Sequence, residues 1–291
     1  RPAKTFRVGQ TISLRPTRWP DWGENSVDNT KELPTLLSLC SGYGGIERGL
    51  ELAGFKHRII AHVEIEAFAI ANLVAKMEEG RLYPAPIWSN LKTFPLDYFR
   101  GRVDILTGGY PCQPFSSAGQ RKGKDDPRHL WPYIFDIIKA LKPIRCFFEN
   151  VEGHVSLGLR EVIQDLESLG YQTTWGIFSA REVGAPHHRK RVFIMADTSG
   201  KGLQRRGITR NISGKESEPD DQFAPRCNSA QIGKWEPEPR VGRVVDGCAD
   251  RVDRIRLLGN GVVPQTAAKA WVTLEKQLEK AGRGNEPGRL E

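Results

Sequence analysis

A cysteine stands at position 112 inside Gly-Gly-Tyr-Pro-Cys-Gln-Pro-Phe-Ser, Gly108 to Ser116, with Pro111 before it and Pro114 two places after it. The apolar run Val103-Asp104-Ile105-Leu106 leads into the glycine pair and reads as a buried strand, so the thiol falls just past that strand's C-terminal end. Open α/β sheets bind their ligands there. The two prolines fix φ on either side, so aiming the thiol costs little chain entropy. An aimed thiol attacks as its thiolate, and an ordinary one, with a pKa of ~8.5, is only a few per cent ionised at neutral pH. A second group, Glu149-Asn150-Val151, follows the apolar run Ile144 to Phe148. A carboxyl there can hand a proton to a reactant if a desolvated pocket raises its pKa. Taken singly, each residue has a plainer reading. Free cysteines are often buried for packing alone, and a strand-end glutamate can simply be solvated.

The elements that must hold these groups begin at Thr35. Leu36-Leu37-Ser38-Leu39-Cys40 is a short apolar run, and Ser41-Gly42-Tyr43-Gly44-Gly45 is a glycine-rich turn. A helical stretch with Ile46, Leu50 and Leu52-Ala53 follows, capped by Gly54. Arg58 to Glu64 is the next strand, so the order is β-α-β with a carboxylate about 20 residues beyond the first loop glycine. Glycines let a backbone approach a ligand, and an acid at that place accepts hydrogen bonds from ribose hydroxyls. NAD enzymes share this arrangement, but the glycines do not form G-x-G-x-x-G and no pyrophosphate cradle follows.

Further strands are expected at Val103 to Leu106, Ile144 to Phe148, Tyr171 to Phe178 and Arg191 to Ala196. Ile134, Ile137, Ile138 and Leu141 have helical spacing, as do Leu159, Val162, Ile163, Leu166 and Leu169 before Gly170. The last two strands are joined by a loop rather than a helix, which predicts an antiparallel strand at one edge.

In this order the motifs resemble those of the DNA cytosine-5 methyltransferases, over roughly residues 34 to 198 and 254 to 275. The resemblance implies an α/β fold, a Rossmann-like methyltransferase core with a mixed, mostly parallel sheet, plus a small irregular recognition domain. It implies S-adenosyl-L-methionine as cofactor, a molecule without phosphates that needs no pyrophosphate cradle. Cys40, Gly42, Tyr43, Gly44 and Gly45 then match the cofactor loop, Glu64 the ribose-binding acid with Ile65 beside it, and Asn90 and Leu91 the adenine side. Pro111 and Asn260-Gly261-Val262, in a segment resembling the family's final motif, complete that site. Cys112 and Gln113 match the nucleophile motif, and Glu149 and Asn150 the acid motif. Arg189 and Arg191 match a Gln-x-Arg-x-Arg motif, with His187 where glutamine is usual. Two further departures are Cys40, where an aromatic usually packs on adenine, and Asn90, where an aspartate usually accepts from the adenine amine. No metal ligand set is signalled.

The implied reaction suits these residue types. Cytosine C5 is a poor nucleophile until a thiolate adds at C6; Cys112 would add, Glu149 would serve N3, and Arg191 would touch O2 or hold Glu149. The target atom is inaccessible in a stacked duplex, so the base must be flipped out. Ser116 to Arg128, basic and glycine-containing, reads as a loop suited to closing over DNA.

Composition agrees. The 291 residues carry a formal net charge of +8, which points to an acidic partner such as nucleic acid. Five cysteines, odd in number and without a C-x-x-C pair, signal neither a disulfide framework nor a zinc site. With no run of 18 apolar residues and no charged-then-apolar leader, a cytoplasmic, non-membrane protein is expected. Residues 1 to 33 read as a polar arm, 34 to 198 as the catalytic core, and 199 to 253, poor in apolar residues and rich in arginine, as the target-recognition region. Residues 254 to 281 return to the core and 282 to 291 form a loose tail. Expected partners are double-stranded DNA and a candidate cognate restriction endonuclease, with the chain itself a monomer. The tRNA-methylating branch shares the motifs but usually carries a Cys-Phe-Thr tripeptide that is missing here. A non-catalytic DNA-binding relative would have lost the cysteine or the acid, and both are present.

Overall fold

A computed structural model describes residues 33–111, 130–198 and 259–283. Among these residues seven strands make one sheet: β1 (Thr35–Leu39), β2 (Arg58–Val63), β3 (Ile87–Trp88), β4 (Ile105–Gly108), β5 (Arg145–Val151), β6 (Tyr171–Ser179) and β7 (Lys190–Thr198), in the order β3-β2-β1-β4-β5-β7-β6. The pairs from β3 through β5 are parallel, and β7 is antiparallel to both β5 and β6. The central strands are apolar on successive residues because helices cover both faces. Leu36, Ile105 and Phe147 point into one core with α1 (Gly45–Leu52), α2 (Ala67–Glu78) and the 20-residue α7 (Pro264–Arg283). Leu37, Leu106, Cys146 and Phe148 point into the other, with α3 (Leu96–Phe99), α4 (Trp131–Leu141) and α6 (Leu159–Ser168). A one-turn helix, α5 (His154–Leu157), precedes α6.

The fully buried Trp271 of α7 packs on Phe55 and Phe147, with ring centroids 5.0 and 5.2 Å apart. Arg145 lies over its ring and binds Asp197 at 2.7 Å and Glu275 at 2.6 Å, tying α7 to β5 and β7.

Four expectations need correction. The antiparallel strand is not the edge: β7 is inserted one place in, and β6, which exposes Trp175 and Ile177, takes the edge. The hairpin thereby turns back into the gap beside β5. β4 starts at Ile105, because the Asp104 carboxylate accepts from the backbone N–H of Thr35 at 2.9 Å and from its hydroxyl at 2.8 Å and so precedes the ladder. Cys40 lies beyond β1 with φ 50°, at the start of the turn. α7 continues through Arg283, two residues into the expected tail. The expected N-terminal arm apart from its last residue, the loop from Ser116 to Arg128 and the recognition region 199 to 253 lie outside the described residues.

Candidate active site

β1 and β4 are parallel neighbours whose following connections leave toward opposite ends of the strand order, which makes their C-terminal ends the switch point of the sheet. A cleft opens there, lined by residues 38–43 and 45–47, by Gly109 and by Asn260–Val262. Its floor is the glycine loop. Gly44 supplies the left-handed turn, φ 81°, that lets the chain leave β1 and start α1. Glu64, at the end of β2, accepts from the backbone N–H of Gly42 at 2.7 Å and from that of Glu66 at 2.8 Å, so the acid shapes the loop from below. Ile65 beside it is 73% exposed, and neither it nor Glu64 is among the residues that line the cleft. Asn90 caps a short 3₁₀ turn, Leu91–Thr93, by accepting from the Lys92 N–H at 3.0 Å, and Leu91 is buried behind it.

The returning segment forms the opposite wall. Tyr43 donates its hydroxyl to the Val262 carbonyl, and its own carbonyl accepts from Lys76 Nζ at 2.5 Å. Its ring occupies the space over Gly261: a Cβ there would stand 1.8 Å from Tyr43 Cε1. Arg189, with φ 31°, donates to the Gly259 carbonyl at 2.7 Å and also to that of Gly261. Tyr43 and Arg189 thus act as fasteners for residues 259–262, a role for which sequence spacing holds no signal.

Beside this cleft lies the acid. Glu149 is buried on β5, and Arg191 of β7 approaches its Oε1 at 2.9 Å. Burial pushes the Glu149 carboxyl up from 4.5 to about 7, against the downward pull of Arg191 and then Arg189. Desolvation wins over the ion pair, so the group can hold or release a proton near neutrality. Glu149 Oε2 lies 3.4 Å from where a Cβ on Gly109 would be, and Val262 Cγ2 lies 4.0 Å from the same point. The acid and the cleft therefore meet across Gly109. Asn150, also buried, donates to the Tyr110 carbonyl at 3.1 Å while its own side-chain oxygen accepts from the Val151 N–H at 2.9 Å. That bond fixes the backbone two residues ahead of position 112. Tyr110 is held on its other side by His154, ring nitrogen to hydroxyl 3.1 Å.

The structure brings together Cys40, Gly42, Tyr43, Gly44, Gly45, Asn260, Gly261 and Val262 around the cleft, and Glu149, Asn150, Arg189 and Arg191 next to it. Pro111 lies three residues past β4, with Tyr110, against α4 and α5. Cys112 and Gln113 lie outside the described residues. Sequence reasoning missed Glu47, a buried carboxylate of α1 that lines the cleft. Among the described residues no group of three or more His, Cys, Asp or Glu side chains could hold a metal, and no helix is long and apolar enough to cross a membrane.

Comparison with known proteins gives this geometry a context. The C-5 cytosine-specific DNA methylase family model matches residues 35–238. The type II methyltransferase M.NgoMIV of Neisseria gonorrhoeae is 34% identical over 166 residues, 56% of this chain and 51% of that protein. M.NaeI of Lentzea aerocolonigenes is 32% identical over 166 residues, 55% of this chain and 39% of that protein. The chain thus spans about half the length, or less, of these relatives. Among solved structures, the S. pombe Dnmt2 methyltransferase aligns with a TM-score of 0.49 at 20% identity, over 86% of this chain and 96% of that one. The family match runs from the first residue of β1 through the whole described sheet, and the chain belongs to the C-5 cytosine-specific DNA methylase family.

Proposed function

We propose that this chain transfers a methyl group from S-adenosyl-L-methionine to C5 of a cytosine in double-stranded DNA, through a transient bond between Cys112 and C6. The observation that carries the reading is the buried Glu149, 2.9 Å from Arg191 and raised to about 7, set against Gly109 at the edge of the cleft. The cleft suits the cofactor: among the described residues its lining has no lysine or arginine to ask for phosphates, and it presents a buried carboxylate oxygen, Glu47 Oε2, that lacks a hydrogen-bond partner. The cofactor, when bound, supplies an electrophilic methyl group on a sulfonium.

The chain's own residues prepare the base to receive it. The Cys112 thiolate adds to C6, and the electron pair displaced into the ring is taken up at N3, where Glu149 delivers a proton. Arg191 holds Glu149 in line. C5, now electron-rich, takes the methyl group; its proton then leaves to water, the Cys112–C6 bond breaks, and N3 returns its proton to Glu149. Neither described thiol competes for the nucleophile's role. Burial, with Glu64 adding to it, pushes Cys40 up to about 12, and burial raises Cys146 well above the ordinary value. We assign sequence reading to residues 199–253, on their arginines and low apolar content.

The test is a duplex whose target cytosine carries fluorine at C5. After methyl transfer no proton can leave, so protein and DNA should stay joined through denaturing electrophoresis, with S-adenosylmethionine required. Cys112→Ser should abolish the joined species while leaving DNA affinity, dominated by phosphate contacts, intact. A chain that methylates DNA yet is never trapped would overturn the mechanism.

A further inference from the structure

The reaction above leaves one wall of the cleft unused. Glu47 sits in the first turn of α1, is 1% exposed, and is one of the residues that line the cleft. Its Oε1 accepts from the Thr107 hydroxyl at 2.7 Å. Its Oε2 is enclosed without a hydrogen-bond partner, 4.0 Å from where a Cβ on Gly44 would stand. Of the basic groups nearby, Lys76 donates to the Tyr43 carbonyl, and the His62 ring, held neutral by burial, meets the Ser41 hydroxyl through Nδ1 at 3.1 Å while its Nε2 is likewise enclosed without a partner. A buried carboxylate oxygen without a donor is a costly arrangement, relieved when a donor arrives.

The chemistry of the donor follows from the layout of the site. Glu64, Ile65 and Asn90 stand beyond the ends of β2 and β3, the side suited to a nucleoside. Glu47 stands on the other side of the glycine loop, toward β4, to which Thr107 ties it. A ligand lying across the loop with its nucleoside over β2 places its 5′ substituent over Glu47. We infer that Glu47 receives the primary ammonium of an amino-acid-bearing nucleoside, the tail of the cofactor named above, and the inference rests on that reading. An ammonium offers three donors and no acceptor. One of them meets Oε2 while Thr107 keeps Oε1, so a single carboxylate joins the ligand's tail to β4.

The experiment is calorimetric titration of the full 291-residue chain and its Glu47→Gln variant with two nucleosides. S-adenosylhomocysteine carries the amino-acid tail; 5′-methylthioadenosine has the same nucleoside without it. Glutamine keeps the size and the acceptor for Thr107. Glu47→Gln should bind S-adenosylhomocysteine about tenfold or more weakly, as expected for losing a charge-assisted bond, with methylthioadenosine affinity changed less than about twofold. Equal losses for both, which a merely structural role or poor folding would give, overturn the inference, as does no loss for either. A wild-type chain that binds neither nucleoside overturns the cofactor reading itself, and this inference with it.

Discussion

Arg191 Nε reaches Glu149 Oε1 at 2.9 Å from a position that is not directly opposite it in the sheet. Glu149 pairs with Phe193, and Arg191 pairs with Val151, so the contact is diagonal across an antiparallel ladder. Side chains two apart on a strand share a face, so the guanidinium and the carboxyl project together. Inserting β7 next to β5 makes this possible. Had β7 taken the edge, with β6 next to β5, the arginine would lie a strand away from the acid.

The first prediction concerns pH. Glu149 is raised from 4.5 to about 7 in the folded chain. Between those values the folded state holds a proton that the unfolded state has released, so stability should fall as pH rises from about 4.5 to about 7 and level off beyond. Turnover should fall above about 7, as the donor to N3 is lost. Glu149→Gln should flatten both profiles and lower turnover at every pH. Urea melts of the two proteins at about pH 5 and about pH 8 test the first claim; parallel slopes would refute the assignment of the shift to Glu149.

Asn150→Ala should separate fold from function. Removing the amide leaves the buried Tyr110 carbonyl without this donor, at roughly 1–3 kcal/mol. It also releases the backbone just before Cys112. Turnover should therefore drop by more than the loss of folded protein explains, measured at a temperature where melting curves show the variant fully folded. Turnover that merely tracks the folded fraction would reduce Asn150 to a structural role.

The fastening of the cleft wall predicts a coupling. Gly261→Ala places a methyl 1.8 Å from Tyr43 Cε1, forcing the ring out and breaking its bond to Val262. Such overpacking costs roughly 1–3 kcal/mol. In Tyr43→Ala the ring is already gone, so adding Gly261→Ala should cost much less. A double-mutant cycle read by denaturant unfolding should give a coupling of about 0.5–3 kcal/mol; simple additivity would show that the two residues do not meet.

Much of this was legible in the chain's letters. The β1–turn–α1–β2 unit and the helical stripes of α4 and α6 follow from local periodicity and glycine chemistry, which depend on neighbours in sequence; Glu149, expected just past a strand ending at Phe148, lies inside β5, because the pairing with β7 extends that strand to Val151. β3 was not foreseen, because two residues, Ile87 and Trp88, are too few to show a period. The placing of β7 depends on which strand β5 meets across the sheet, and no local pattern encodes that. Tyr43 was read as a cofactor residue because it sits in a glycine loop; its hydroxyl partner, Val262, is 219 residues away. Glu47 was passed over because its neighbours Thr107 and Gly44 turn an ordinary helix-start acid into a buried one only after folding.

The docking of α7 also bears on how the protein is made. All seven described strands have left the ribosome once Thr198 has, but α7, which covers Phe147, lies beyond another 65 residues, 199–263. At 5–20 residues per second, the stretch from 199 through Glu275 takes roughly 4–15 s to make, and for that time the face is bare and Arg145 lacks Glu275. The cleft has no second wall during the wait, because Asn260–Val262 arrive with the helix. A ligand of the cleft can therefore protect a finished molecule from unfolding, but it cannot act as a template for the half-made one.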